Sequence, residues 1–301
     1  MRRRSAGLAA VLTLGLAGFG WAGLRPVSYV ATPVAGVEMR CLAEADPVPY
    51  SFCINRVVGS DNPDVVFHFH GRNGDATWWN DAPAYSGELY TEWAESKRAP
   101  PTVVSVSFGP LWLLTDQHRE DASPGLMKVF LESVVPRVGR ELASSGGARR
   151  RYLLIGESMG AVNALLVGLK TSAQFSKVAS LCAPLATGGR DPSIGQVVSL
   201  VRRGSMTVRR ALMLLAFSRR FYPSDAFWAE NAPLPLSERA FTSPPPAFFI
   251  TCGRTDEWGC LEGSEVLVNN LRAHGARVDW WPRPGGHCDI DPRPLAAFLV
   301  D

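Results

Sequence analysis

The tightest constraint in this chain is the point where Tyr152-Leu153-Leu154-Ile155 runs into Gly156-Glu157-Ser158-Met159-Gly160 and a helical stretch, Met159 to about Leu169, follows at once. A strand can become a helix within a single residue only through a sharp, strained turn. Side chains at positions 156 and 160 would collide there with the neighbouring strand and helix, which is why glycines stand at both. The turn lifts the Ser158 hydroxyl into a cleft at the carboxyl end of the strand. It also directs the Met159 backbone N–H, at the positive end of the helix, to the space beside that hydroxyl.

The rest of the chain repeats the same alternation. Tyr50–Val58, Asp64–His70, Thr102–Phe108, Lys177–Cys182, Ala247–Thr251 and Val278–Trp281 read as further strands. The periodicity predicts helices over Gly125–Leu142, Glu262–His274 and Pro294–Val300. Strands alternating with helices imply a mostly parallel sheet covered on both faces, an α/β fold, with its chemistry at the carboxyl ends of the strands. Residues 186–246 break the pattern with a Gly/Arg/Pro-rich start, a basic amphipathic stretch over Val201–Arg220 and a Pro-rich exit. A segment of that length between two strands reads as a helical insertion capping the strand ends. For Val201–Arg220 alone, a solvated surface helix is the alternative.

A serine hydroxyl is un-ionised at neutral pH and needs a base. Of the five histidines, His287 follows the last strand in Pro284-Gly285-Gly286-His287, where glycines let the loop bend towards the sheet edge. A carboxylate is then needed to orient the imidazole. Asp256 follows the strand Ala247–Thr251 and is the choice for that role. Its neighbour Glu257 is the alternative.

The order Ser158, Asp256, His287, with the serine on a strand-to-helix elbow, resembles the α/β-hydrolase superfamily from about Val48 to the end of the chain. The resemblance implies the α/β-hydrolase fold and an oxyanion hole built from the N–H of Met159 and that of Gly71 or Arg72 in His70-Gly71-Arg72-Asn73-Gly74. Ala161 stands where many relatives carry another glycine. Single-domain size and an export signal make the chain similar to secreted carboxylesterases of the feruloyl-esterase-like and polyester-depolymerase-like kinds. The implied activity is hydrolysis of carboxylic esters through an acyl-enzyme, without a cofactor or metal. An acyltransferase, a serine peptidase or amidase, and a non-catalytic surface binding protein on the same fold are the alternatives. Trp78, Trp79, Trp112, Trp228 and Trp258 fall in segments expected near the strand ends or in the cap. They point to a pocket for a bulky apolar or aromatic ester, small or polymeric.

Arg2-Arg3-Arg4 precede an uncharged apolar run, Ala6–Leu24, with a small-x-small sequence at Gly20-Trp21-Ala22. Residues 1–22 therefore read as a secretory signal peptide, an uncleaved membrane anchor being the alternative, and residues 23–46 as a tether. Those three arginines equal the whole net charge of +3, so no basic surface for nucleic acid is expected. The destination is secreted, periplasmic or cell-surface. Six cysteines in an exported chain suggest disulfides. Closeness in sequence pairs Cys41 with Cys53 and Cys252 with Cys260, leaving Cys182 with Cys288.

Overall fold

The computed structural model describes residues 31–118, 123–143, 150–203 and 206–301. The segment read as signal peptide or anchor, residues 1–22, lies outside them. Eight strands form one sheet: β1 (Val37–Glu44), β2 (Tyr50–Val57), β3 (Val65–Phe69), β4 (Thr102–Ser107), β5 (Tyr152–Glu157), β6 (Lys177–Leu181), β7 (Ala247–Gly253) and β8 (Val278–Arg283). Their order is β1-β2-β4-β3-β5-β6-β7-β8. β1, β2 and β4 pair antiparallel, and every pairing from β4 through β8 is parallel.

The period of two along the strands divides the interior into two cores. On one face Val65, Phe67 and Phe69 of β3 and Leu154 of β5 meet Phe130, Leu165 and Leu267. These last come from the π-turn Phe130–Val134 and the helices α4 (Met159–Lys170) and α9 (Cys260–Ala273). On the other face Val66, Leu153, Ile155 and Phe249 meet Leu89, Trp93, Leu295 and Phe298 of α1 (Tyr85–Glu95) and α10 (Pro292–Val300). The Trp93 indole donates to the Ala296 carbonyl at 3.0 Å and ties those two helices together. The single helix expected over 125–142 is α2 (Leu126–Val129), the π-turn and α3 (Val135–Ala143). Pro136, which has no N–H to continue the α ladder, sits just past the widened turn.

The insertion over 186–246 carries α5 (Ile194–Arg203), α6 (Val208–Phe221), α7 (Asp225–Asn231) and α8 (Pro233–Ser237). Among the described residues no helix is long and apolar enough to cross a membrane.

Two expectations need correction. Residues 23–46 are not a tether throughout. The Thr32 N–H donates to Asp81 at 2.8 Å and the Val34 N–H to Asn80 at 2.9 Å, and residues 37–44 form edge strand β1. Its side chains are mostly exposed, so no apolar pattern announced it. The backbone ladder and the Cys41–Cys53 bridge, whose cysteines face each other in register, hold it. The second correction concerns the bridges. Cys182–Cys288 forms as expected, but Cys252 and Cys260 are buried free thiols. The Cys252 thiol is hydrogen-bonded with Ser264, and Cys260 donates to the Cys182 carbonyl at 3.3 Å. Burial pushes the Cys252 thiol up to about 12 and the Cys260 thiol well above its ordinary range. Alkylation of native protein should therefore leave its mass unchanged, while alkylation in denaturant without reductant should add two groups, at Cys252 and Cys260. A mass spectrum showing none in denaturant would restore the third bridge.

Candidate active site

Ser158 is the hinge between β5 and α4, with φ 52° and ψ −115°, a conformation non-glycine residues rarely adopt. Three close approaches impose it. A Cβ on Gly156 would lie 2.1 Å from the Gly160 carbonyl oxygen, and one on Gly160 would lie 1.8 Å from that of Phe69. The Ser158 N–H donates to the Leu181 carbonyl at 2.8 Å, which fastens the turn to the end of β6.

Two loops, from the ends of β7 and β8, bring Asp256 and His287 to this serine. The His287 Nε2 lies 3.0 Å from the Ser158 Oγ, and its Nδ1 lies 2.8 Å from the Asp256 Oδ2. In the tautomer this arrangement favours, Nδ1–H donates to the carboxylate and Nε2 accepts from the hydroxyl. Asp256 is buried and also accepts the Trp258 N–H at 2.7 Å. The loops interlock: a Cβ on Gly253 would strike the Gly286 oxygen at 2.1 Å, and the Thr255 N–H donates to the Gly285 carbonyl at 2.9 Å. The Cys182–Cys288 bridge fastens the residue after the histidine to the end of β6. Glu257, the alternative acid, does not touch the ring. Its Oε2 accepts the His287 backbone N–H at 3.3 Å.

The Met159 N–H begins α4, where no intrahelical acceptor exists. The loop of residues 70–74 supplies the opposite wall, and of its two expected donors, Gly71 and Arg72, the first is already engaged. The Gly71 N–H goes to the Glu157 Oε1 at 3.3 Å, leaving Arg72, which lines the cavity, as the loop's candidate. His70 braces this loop through Nδ1 at 2.7 Å from the Gly71 carbonyl and Nε2 at 2.8 Å from the Ser107 hydroxyl. Burial lowers its pKa to about 4, so it is neutral. His68 bonds the Ser105 hydroxyl at 2.8 Å. Near the serine, the ligand atoms of Asp256, Cys260 and His287 lie within 4.8 Å of one another, as do those of Cys182, His287 and Cys288. The sulfurs of the second group are spent in a disulfide. In the first, Asp256 and His287 are bonded to each other.

Ser158, His287 and Met159 open onto a cavity of about 390 Å³, walled by cap residues including Leu214, Phe217, Phe221 and Trp228. Of the five expected tryptophans, Trp78, Trp228 and Trp258 line it. Trp79 and Trp112 do not. Trp79 is wholly buried with its indole N–H on the Tyr90 hydroxyl at 2.9 Å, and Trp112 packs edge-on against Phe69 and Phe108.

Glu157 was not expected to matter, because its place in the motif accepts any residue. It is buried beside the serine, with Gly71 N–H and the Trp78 side chain as partners, and burial raises its pKa from 4.5 to about 7. Those two hydrogen bonds and nearby His287 act in the opposite direction. A raised carboxyl pKa stabilises the fold fully below the unfolded value, and this stability is lost as pH rises through the folded value. Glu157→Gln removes the titration. The stability of that variant relative to wild type should therefore increase from pH 4.5 to about 7 by up to ~3 kcal/mol and stay level above. Denaturant midpoints across that range would show it, and a difference independent of pH would refute it.

No protein-family model matches the sequence, and no curated protein matches it. Solved structures do resemble it in fold. Brefeldin A esterase, described as a bacterial homologue of human hormone-sensitive lipase, superposes with a TM-score of 0.65 at 16% identity over 97% of this chain and 84% of its own. An arylesterase gives 0.61 at 15% identity over 96% and 94%. A ferulic acid esterase gives 0.60 at 15% identity over 88% and 94%. The chain has the fold of these enzymes, the α/β-hydrolase fold.

Proposed function

We propose that this chain is a serine hydrolase of carboxylic esters, exported from the cytosol, with Ser158 as nucleophile, His287 as base and Asp256 as the acid that orients it. The observation that carries this reading is the unbroken relay from Ser158 Oγ through His287 to buried Asp256, at 3.0 and 2.8 Å, opening onto an apolar cavity. A surface protein that had merely kept the fold would not need the relay intact.

In the reaction Ser158 Oγ attacks the ester carbonyl carbon while its proton passes to His287 Nε2, and Asp256 stabilises the imidazolium. The Met159 N–H, with that of Arg72, receives the developing oxyanion. As the tetrahedral intermediate collapses, the C–O bond to the alcohol breaks and His287 protonates the departing oxygen. Water, deprotonated by His287, attacks the acyl-enzyme. Collapse releases the acid and returns the proton to Ser158.

The cavity volume, about 390 Å³, falls within the span of small-molecule sites, about 300–1,000 Å³. Its Leu, Phe and Trp walls suit a bulky apolar or aromatic ester better than acetate. Export is supported by the basic-then-apolar start of the sequence and by the two disulfides, which persist in oxidising compartments.

A fluorophosphonate should add one group to the wild type and none to Ser158→Ala, read by intact mass. Turnover should fall at least ~10³-fold in Ser158→Ala and about 10⁴-fold in Asp256→Asn, both remaining folded. Near-normal activity in either would sink the assignment. Each methylene buried contributes about 0.8 kcal/mol, so kcat/KM on p-nitrophenyl esters should climb about fourfold per carbon from acetate to hexanoate. A steady fall along that series would contradict the apolar acyl pocket.

A further inference from the structure

Cap helix α6 touches both halves of the machinery beneath it. Arg210 reaches down to the loop that carries Asp256: its Nη2 donates to the Glu257 Oε1 at 3.0 Å, and its guanidinium lies 5.4 Å from the centre of the Trp258 ring. Glu257 uses its other oxygen, Oε2, to accept the His287 N–H at 3.3 Å, and the Trp258 ring lies against the His287 ring at 5.9 Å. Immediately before the helix, Met206 is buried on the same loop, so close that a Cβ on Gly259 would lie 2.3 Å from its methyl carbon. Seven residues along α6 from Arg210, and so on nearly the same face about 10 Å away, Phe217 lies beneath the Arg72 guanidinium at 5.8 Å. One helix face therefore spans from the Asp256 loop, which braces His287, to the loop that faces the Ser158 oxyanion space.

We propose that α6 is a strut of the catalytic apparatus and that Arg210 is a positioning residue for His287, acting through Glu257 and Trp258. This rests on the serine-hydrolase reading above. The pair is too exposed to be kept for stability: both side chains retain about a third of their accessible surface, 32% and 31%, and such ion pairs contribute little to folding. What the geometry gives is direction. The Glu257 carboxylate is held between a guanidinium on the cap and the backbone N–H of the base itself. The imidazole is aligned on Ser158 when the cap is docked, and it loses one restraint when the cap lifts.

The test uses the full chain and its Arg210→Met, Arg210→Lys and Glu257→Gln variants. The readouts are fluorophosphonate labelling rate, kcat and KM on a p-nitrophenyl ester, and Tm. Arg210→Met should label and turn over about 10- to 100-fold more slowly, the cost of a small misplacement of a reacting group, with KM within about twofold and Tm within about 3 °C. Arg210→Lys should recover part of the rate, since it keeps the charge but not the planar stack. Glu257→Gln, which lies outside the cap and keeps an acceptor for the His287 N–H, should match Arg210→Met, and the double variant should be no slower than either. In 1 M NaCl, where screening extends only about 3 Å, the wild-type rate should fall towards that of Arg210→Met while the variant stays level. Wild-type labelling and kcat in Glu257→Gln would overturn the strut, whether or not Arg210→Met folds. A wild type that reacts with no fluorophosphonate would instead remove the hydrolase reading on which the strut stands.

Discussion

Everything at this site depends on one contorted residue. Ser158 holds a left-handed backbone, φ 52°, that costs of order 1–3 kcal/mol and that nothing local repays. It persists because its surroundings leave no other path. β5 is buried on both faces up to Glu157, α4 is buried along nearly its whole length, and Gly160 is pressed against the Phe69 carbonyl. The large apolar interior on either side of the sheet thus fixes a single torsion at its centre. The same torsion exposes the hydroxyl and leaves the first N–H of α4 beside it without an intrahelical acceptor.

His287, the proposed base, is held by means of a different kind. His287 sits in a loop with few apolar anchors, so its position is built from short-range restraints of several chemical types. Backbone contact with Gly253, hydrogen bonds from Thr255, a disulfide to the end of β6 and the Glu257 carboxylate on its N–H act together. No single one of them need be strong. A general base must be within hydrogen-bond reach of its proton, and several weak restraints from different directions define a point better than one strong one.

The sequence made the buried parts of this structure legible. Strands β3, β4, β5 and β7 are covered on both faces and read as short runs rich in apolar and β-branched residues, and the glycines at 156 and 160 mark close contacts that leave no room for a side chain. β1 stayed hidden because its pairing is made by backbone and one bridge while its side chains face water. Cys252 and Cys260 are neighbours in sequence, yet each has another partner, Ser264 and the Cys182 carbonyl, and sequence spacing carries no information about side-chain direction. Trp78 and Trp79 show the same limit at its sharpest, since adjacent residues turn to opposite sides and only the first meets the cavity. The choice between Gly71 and Arg72 stayed open because the acceptor that engages the Gly71 N–H, Glu157, comes from a strand 86 residues away.

The division between what the fold supplies and what this chain adds follows from where the walls come from. The esterases that superpose on it are only 15–16% identical to it, so what they have in common with this chain is the fold. The outer wall of the cavity comes from elsewhere: Leu214, Phe217, Phe221 and Trp228 belong to the insertion between β6 and β7, whose Tyr222, Ala232, Leu234 and Leu236 also join the core on one face of the sheet. In this chain the same helix that walls the cavity also touches Glu257, Trp258 and Arg72 beside it. On the proposed reading, the acyl pocket and the alignment of His287 then share one element, and a change of cap sequence that reshapes the cavity would act on both.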